Sequence, residues 1–363
     1  MQDVLRPPVA VGDRVRRSLL PIASIGVVGL LWLGSGVLVP TAWASYTDRF
    51  RTFVTIFLGI FIEALPFLLA GVLVSSAIHL FMTPERLQRL LPRGAFPSAL
   101  TGSLLGLVFP VCECGSVPAA RQLLRKGAPL PLGIAFMLAS PVVNPIVIIS
   151  TAVAFGNIFG WEFVAWRVGL TVGIAVIVSL IIGTGVTAEH TLARRILAPV
   201  DAPNHDHQHA HDHGHEHHDH DHHDNEFADE SRLGRVLTHA GEEFFEMSRF
   251  LVIGGLLAAG LQTFIAPDLL LSLGEGPILS VVIMMLLAVV LSICSTVDSF
   301  VALSFVGTFA PGALLAFLVF GPMVDIKSTL MFTSTFQRRT VARMIVLIAA
   351  LAASSTILIN LYG

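Results

Sequence analysis

The chain has 363 residues, of which 54% are hydrophobic and 13% charged, and its mean hydropathy is +0.78. This composition excludes a soluble domain of that size and indicates a polytopic α-helical membrane protein, because several apolar runs can cross about 30 Å of hydrocarbon. The formal net charge of −3 hides a basic remainder, since ten of the 25 acidic residues lie in 201–230, where no Lys or Arg occurs.

Seven apolar runs are long enough to be full membrane spans. A basic N-terminal segment precedes the first run, which we expect to be a retained helix; the alternative is a signal segment cleaved near Ala42-Trp43-Ala44. Ser140-Pro141 and Asn144-Pro145 interrupt the third run. The runs are 18–39, 52–81, 130–155, 163–186, 244–265, 312–336 and 341–361.

Basic residues in the short loops set the expected orientation in the membrane. Loop 83–97 contains three arginines, and Arg194 and Arg195 follow the fourth span, so both loops are expected to be cytoplasmic. The chain is therefore predicted to lie in the inner (cell) membrane with its N-terminus and the 201–230 segment in the cytoplasm and its C-terminus outside.

The second half of the chain repeats the first. Phe61-Ile62-Glu63 aligns with Phe244-Phe245-Glu246 at an offset of 183, and Cys114-Gly115-Ser116-Val117 with Cys294-Ser295-Thr296-Val297 at 180. Loop 83–97 is basic, whereas its counterpart 266–277 has no basic residue. Corresponding loops thus lie on opposite sides, which predicts an inverted repeat, the architecture of many secondary transporters.

An inverted repeat needs an odd number of crossings in each half. We therefore predict that 98–127 is a re-entrant hairpin with Cys112-Glu113-Cys114 at its tip, and that 278–309 is its mirror image with Cys294 at the tip. The predicted fold is all-α, with about seven full spans and two hairpins; if both hairpins cross fully, nine segments span the membrane.

The three cysteines are candidate ligands for a soft cargo. Cys112, Cys114 and Cys294 meet near the middle of the bilayer if the two hairpin tips do. Thiolates select soft partners such as Cu(I), Zn(II) or trivalent arsenic-like centres. The alternative is that a buried cysteine is only a small hydrophobic side chain.

Ionisable residues inside the predicted spans mark a functional site by default, because a charge in hydrocarbon must be paired, protonated or wet. Glu63, Glu113 and Asp298 are the candidates for proton coupling, and Asp325 and Lys327 complete the set. Lys327 with Asp298 or Asp325 is the structural alternative.

Glu246 has a simpler explanation. It lies near a predicted helix end with Arg249 one turn away, so an ordinary ion pair between residues three apart is expected.

Two helix breaks fall at matching positions, Ser140-Pro-Val-Val-Asn144-Pro145 and Gly321-Pro-Met-Val-Asp325. A broken helix frees carbonyls and helix ends that can bind a substrate or an ion. Asn144, Asp325 and Lys327 are therefore counted among the substrate-binding candidates, together with the three cysteines, Glu113 and Asp298; proline kinks without a binding role are the alternative.

The 201–230 segment is of low complexity and is expected to be disordered. Its imidazoles and carboxylates suit Zn, Ni, Co or Cu, so it is a candidate metal-binding loop or an expendable linker. The histidines are His205, His207, His209, His211, His213, His215, His217, His218, His220, His222 and His223.

Several motifs resemble the signature of the ArsP-type predicted permease family. They are Phe109-Pro-Val-Cys-Glu-Cys-Gly-Ser-Val-Pro118, Arg121, Gly127-Ala-Pro129, Ala139-Ser-Pro-Val-Val-Asn-Pro145, Cys294-Ser-Thr-Val-Asp298 and Gly321-Pro-Met-Val-Asp-Ile-Lys327. The resemblance covers roughly 50–363 and implies an inner-membrane permease, with export of trivalent organoarsenicals held by cysteine thiols. The first helix and the histidine tract lie outside it.

These observations predict a permease rather than an enzyme. The predicted organisation is an N-terminal segment with the first helix (1–51), repeat 1 (52–187), a cytoplasmic His-rich loop (188–240) and repeat 2 (241–363). The expected cargo is a soft metal or metalloid species, exported without a required cofactor and without ATP, since no Walker motif occurs. Alternatives are a divalent metal transporter that uses the His-rich loop and a membrane thiol oxidoreductase with a CxC pair.

The expected partners are the lipid bilayer and a small inorganic or organometalloid substrate, with no nucleic acid. Two kinds of protein partner are compatible with the sequence: a second copy of the chain, or a metal-handling protein to which the histidine tract delivers metal.

Overall fold

The computed structural model describes residues 41–81, 91–92, 94–109, 111–185, 191–192, 232–264 and 276–362. Contacts divide the chain into two units, 1–52 and 53–363, and nearly all of the described residues belong to the second. The described secondary structure is helical apart from two isolated bridges, Leu192 with Phe336 and Val306 with Phe309. This confirms the prediction of an all-α membrane protein.

The described helices are α1 (Thr41–Phe81), α2 (Ala95–Leu104), α3 (Glu113–Arg125), α4 (Leu130–Ala139), α5 (Pro145–Phe155), α6 (Gly160–Gly185), α7 (Arg232–Phe264), α8 (Leu279–Leu291), α9 (Asp298–Leu303), α10 (Pro311–Met323), α11 (Ile326–Thr335) and α12 (Arg338–Tyr362).

Five stretches of the described chain are long and apolar enough to cross a membrane: Thr47–Ile78, Gly160–Thr184, Ala240–Phe264, Pro311–Thr335 and Arg338–Tyr362. They correspond to five of the seven predicted spans. A sixth, 130–155, is formed by α4 and α5, and the first, 18–39, lies outside the described residues. The helix α1 begins at Thr41 rather than at 52, so the boundary predicted between 51 and 52 falls inside a helix.

The two cysteine-bearing segments are broken helices with short arms. The longest arms, α3 and α8, have 13 residues each, which corresponds to about 20 Å and is too short to cross about 30 Å of hydrocarbon. The first segment breaks before α3. The second breaks after α8, where Ser292 takes a left-handed conformation with φ of 46°. Short arms on either side of a break are compatible with re-entrant hairpins, which stay a prediction.

Two further breaks separate α4 from α5 and α10 from α11. The side chains of Asn144 and Asp325 cap the helices that follow, each accepting a hydrogen bond from a backbone N–H of the first turn. The halves that precede the breaks form the core, since residues 131–139 and 312–323 are all buried.

Contacts at the helix ends define two faces of the bundle. At face 1, Gly183 near the end of α6 lies against Pro131 at the start of α4, and Leu192 pairs with Phe336 before α12. At face 2, Gly312 at the start of α10 lies against Asn360 at the end of α12. Since α12 has 25 residues and is about 37 Å long, α4 and α10 enter the bundle from opposite faces.

Opposite entry of matching helices is what an inverted repeat requires. The helices also exchange partners between the halves, since α3 packs against α11 and α5 packs against α9. The repeat relationship itself stays a prediction.

Candidate functional site

The three cysteine thiols lie together inside the bundle. Cys112 immediately precedes α3, Cys114 lies in its first turn, and Cys294 lies in the break between α8 and α9. All three are free and buried, with exposed fractions of 4% or less. The Cys112 side chain interacts with both other thiols, so two breaks that are distant in the chain lie close together at this residue.

Local backbone geometry presents the thiols. Cys112 is extended, and its carbonyl accepts hydrogen bonds from the N–H groups of Gly115 and Ser116 as α3 begins. After the left-handed Ser292, the carbonyl of Cys294 accepts the N–H groups of the first residues of the next turn. The hydroxyl of Thr296 lies 3.6 Å from the Cys294 sulfur, to which it donates.

A buried lysine and its carboxylate partners lie beside the thiols. Lys327, which is 2% exposed, places its Nζ 3.5 Å from Asp325 Oδ2 and 3.7 Å from Glu113 Oε1. The ammonium group also interacts electrostatically with Cys114 and Cys294. Of the two ion-pair partners that the sequence suggested for Lys327, Asp298 and Asp325, the structure shows Asp325.

Asp325 accepts hydrogen bonds from two different parts of the chain. Its Oδ1 accepts the N–H and hydroxyl of Ser328, which caps α11, and its Oδ2 accepts the hydroxyl of Ser292 at 3.0 Å. Asp325 therefore ties the break between α10 and α11 to the break that carries Cys294.

Glu63 reaches the same place from α1. Its carboxylate interacts with the Cys294 thiol and, electrostatically, with Lys327. We use the term central cluster for seven residues: Glu63, Cys112, Glu113, Cys114, Cys294, Asp325 and Lys327. Oε1 of Glu63 and Oε2 of Glu113 are buried in it without a hydrogen-bond partner among the described residues.

The central cluster holds soft and hard donors but is not a closed metal cage. Among the described residues, no group of three or more His, Cys, Asp or Glu side chains is arranged to hold a metal ion. Cys112 interacts with each of the other two thiols, and a ligand that takes two or three of them needs them to move. A metal-ligand role for Cys112, Cys114 and Cys294 stays a prediction.

Asp298 lies outside the central cluster. Its Oδ2 is 2.6 Å from Nη2 of Arg167, a fully buried residue of α6. Nη1 of Arg167 donates to the hydroxyls of Thr151 at 2.6 Å and Ser299 at 2.8 Å. The sequence interpretation missed Arg167, although a single arginine within an apolar span of this kind is a signal in its own right.

Asn144 is also separate from the central cluster. Its side-chain oxygen accepts the N–H of Ile146 at 2.9 Å at the start of α5. Asn144 therefore caps α5 as Asp325 caps α11, but among the described residues it makes no hydrogen bond to the break that carries Cys294. The substrate-binding role predicted for Asn144 and Asp298 stays a prediction.

A second charged network lies toward face 1. Nη1 of Arg121 is 2.9 Å from Oε2 of Glu246, and Glu243 accepts the hydroxyl of Ser75 at 2.6 Å. The predicted pair of Glu246 with Arg249 is present at 3.6 Å. The sequence did not reveal that Arg121, which is buried, is the closer partner.

The remaining predicted ligands belong to the histidine tract. The metal ligands predicted there, from His205 to His223, lie outside the described residues.

Comparisons with known proteins identify relatives over most of the chain. The model of a family described as a predicted permease, ArsP_1, matches residues 49–361. The UPF0718 protein YcgR of Bacillus subtilis (strain 168) is 43% identical over 306 residues, which cover 84% of this chain and 96% of that protein.

Two further relatives are more distant. A Streptococcus mutans protein named "Putative two-component membrane permease complex subunit" is 36% identical over 284 residues, 78% of this chain and 87% of its own length. The UPF0718 protein YraQ of Escherichia coli (strain K12) is 32% identical over 97 residues, 27% of each chain. No solved structure matches.

Proposed function

The chain belongs to the ArsP_1 family of predicted permeases, and from that premise we propose that it is a secondary transporter that exports a soft metal or metalloid species across the inner membrane. The cargo that we favour is a trivalent arsenical or organoarsenical. Membership of a permease family and a multi-pass helical fold support transport rather than an enzymatic reaction.

The observation that carries this proposal is the convergence of every cysteine of the chain on one buried point. The sequence has three cysteines, and the buried Cys112 side chain interacts with the other two. Buried thiols beside an ammonium group favour a soft, thiophilic species over a hard cation such as Mg²⁺, which prefers oxygen ligands.

Cargo binding releases protons that the central cluster can accept. Each thiol that becomes a bound thiolate gives up one proton, so two thiols release two. We assign their uptake to the two unpartnered oxygens, Oε1 of Glu63 and Oε2 of Glu113. When the cargo leaves, the carboxylates return these protons to the thiolates, so the central cluster ends the cycle in its starting protonation state.

The sequence also supports two alternative functions. The histidine tract favours a divalent ion such as Zn²⁺, Ni²⁺, Co²⁺ or Cu²⁺ as the cargo. The CxC pair favours a thiol oxidoreductase, which would form a mixed disulfide with a partner and transport nothing. The S. mutans relative is named as a subunit of a two-component complex, and we propose that this chain also works with a second membrane component.

The decisive experiment replaces one thiol. In inverted membrane vesicles, we expect Cys114→Ser to lower the uptake of a trivalent arsenical at least about tenfold, because a cargo held by thiols loses one of its ligands. The amount of protein in the membrane should stay unchanged, since serine is nearly the same size. Ser354→Ala, on an exposed part of α12, is the matched control and should transport normally.

The same vesicles separate the rival functions. Uptake of Zn²⁺ or Ni²⁺ but not of arsenicals would establish the divalent cargo. Unchanged arsenical uptake by Cys114→Ser would remove the thiols from the mechanism, and a trapped mixed disulfide without any uptake would establish the oxidoreductase.

A further inference from the structure

We propose that two ion pairs, Arg121–Glu246 and Arg167–Asp298, are the gates that separate the central cluster from face 1 and face 2. This inference rests on the proposed transport function, since only a transporter needs its binding site opened to each side in turn. Neither arginine belongs to the central cluster, and both pairs join a residue of the first half of the chain to one of the second.

The first pair lies between the central cluster and face 1. Arg121 lies on α3 toward the end of the helix, about 14 Å along the helix axis from Cys112 and about 10 Å from Cys114. That end leads directly into α4, which starts at face 1. Glu246 lies on α7, about 12 Å from Gly254, whose Cα faces the backbone of Lys327.

Hydrogen bonds extend this first gate over three helices. The hydroxyl of Ser75 on α1 is within 3.3 Å of the carbonyl of Pro118 and donates to Glu243 on α7 at 2.6 Å. Arg121 and Glu243 also interact electrostatically. Helices α1, α3 and α7 are thus joined by polar contacts across the route from face 1 to the thiols.

The second pair lies between the central cluster and face 2. Arg167 is in the second turn of α6, about 10 Å from the start of that helix at face 2. Asp298 follows Cys294 by one turn, and its backbone N–H donates to the Cys294 carbonyl at 3.1 Å. The pair, with Thr151 and Ser299, closes the space between α5, α6 and α9.

The chemistry of the pairs suits a gate better than a permanent brace. In both arginines the Nε–H is buried without a partner among the described residues, so neither guanidinium uses its full bonding capacity. Separating a buried ion pair is costly unless water solvates both charges. Opening a pair therefore admits water that solvates both of its charges. Water at one pair exposes the central cluster to that side of the membrane alone.

The natural cysteine content of the chain provides the test. All three cysteines of the sequence belong to the central cluster, so thiol labelling of the unmodified protein reports access to that point without background. We would reconstitute the full chain in liposomes of known orientation and measure the rate of labelling by a membrane-impermeant maleimide added to one side at a time.

We expect each variant to change the labelling rate from one side of the membrane only. Arg121→Gln should raise the labelling rate from face 1 at least about tenfold, and Arg167→Gln should do so from face 2, with little change from the other side. A purely structural role would loosen the bundle and raise labelling from both sides. The charge-reversed double variant Arg121→Glu/Glu246→Arg should return face-1 labelling to the wild-type rate. Arg343→Gln, an exposed arginine of α12, is the control and should change nothing.

A second variant covers the event that Arg167→Gln fails to fold because it leaves Asp298 charged and alone. Arg167→Gln/Asp298→Asn removes both charges, leaves no lone buried ion, and should still open face 2. Unchanged labelling in the folded variants, or equal labelling from both sides, would overturn the gates. Labelling does not depend on the cargo, so failure of arsenical transport with sided labelling would refute the arsenical as the cargo and leave the gates of a transporter standing.

Discussion

Lys327 holds two carboxylates inside the bundle. Its ammonium group is 3.5 Å from Asp325 and 3.7 Å from Glu113, and all three residues are at most 3% exposed. Removing one partner of a buried ion pair is more costly than removing both, because the remaining charge keeps its desolvation penalty and loses its counter-charge. Lys327 should therefore matter for stability as well as for binding.

We predict that Lys327→Gln destabilises the protein by about 3–5 kcal/mol, since it leaves Glu113 and Asp325 facing each other without a cation. The double variant Lys327→Gln/Glu113→Gln should recover a large part of that loss. The measurement is thermal unfolding of the detergent-solubilised protein, with the exposed Arg339→Gln as control. A double variant that is less stable than the single one would contradict the pairing.

The sequence predicts buried charges more readily than their partners. Lys327 and Asp325 are two residues apart on either side of a helix start, so their pairing was among the expected alternatives. Asp298 and Arg167 are 131 residues apart, and nothing local in the chain brings them together. Sequence alone therefore could not assign Asp298 to a network outside the central cluster.

Close contacts between helix backbones bring the elements of the central cluster together. A Cβ added at Gly71 of α1 would lie 2.2 Å from the Cα of Gly115 on α3, and one added at Gly254 of α7 would lie 2.9 Å from the Cα of Lys327. Small residues allow helices to approach in this way in membranes. Gly71 and Gly254 are also matching positions of the predicted repeat.

We predict that Gly71→Ala costs about 1–3 kcal/mol, because the added methyl group must push α3 away from α1 and displace Cys114 with it. Gly59→Ala, on the same helix with nothing within 4 Å of the added Cβ, is the matched control. It should be neutral or stabilise by up to about 1 kcal/mol, since alanine favours a helix more than glycine does.

The readouts for both glycine variants are the thermal midpoint and the rate of thiol labelling. If Gly71→Ala were as stable as Gly59→Ala, with unchanged labelling, the contact between α1 and α3 would not be as close as the structure has it.

The helix breaks could be read from the sequence because each has a local cause. Pro145 follows the break after Ser140, Pro322 precedes the break at Asp325, and the residues before the new helices, Asn144 and Asp325, are good caps. The left-handed turn at Ser292 has no such local signature. There, Gln262 of α7 donates to the Leu291 carbonyl at 2.6 Å, a contact between distant parts of the chain.

At the scale of the whole molecule, charge and contacts give the same orientation. Arg338 and Arg339 begin α12 at face 1, and Arg125 ends α3 near the same face. The turn between α5 and α6 at face 2, residues 156–159, has no basic residue. By the positive-inside tendency, we predict that face 1 is the cytoplasmic one.

This orientation leads to a prediction about the two ends of α12. Leu192, which pairs with Phe336 just before α12, lies at face 1, whereas Tyr362 ends the helix at face 2. The tract 201–230 follows Leu192 closely, so we expect a reporter inserted in the tract to be cytoplasmic and one fused after Gly363 to be outside. Alkaline phosphatase is a suitable reporter, because its disulfides form only in the oxidising compartment.

Two truncation fusions supply matched controls within the first half. A fusion at Asn157, in the turn at face 2, should be active, and one at Gly127, after α3 at face 1, should be inactive. If the tract and the C-terminus lay on the same side, α12 would not cross the membrane as a single span. The halves would then not be oppositely oriented, and the two ion pairs could not face opposite sides of the bilayer.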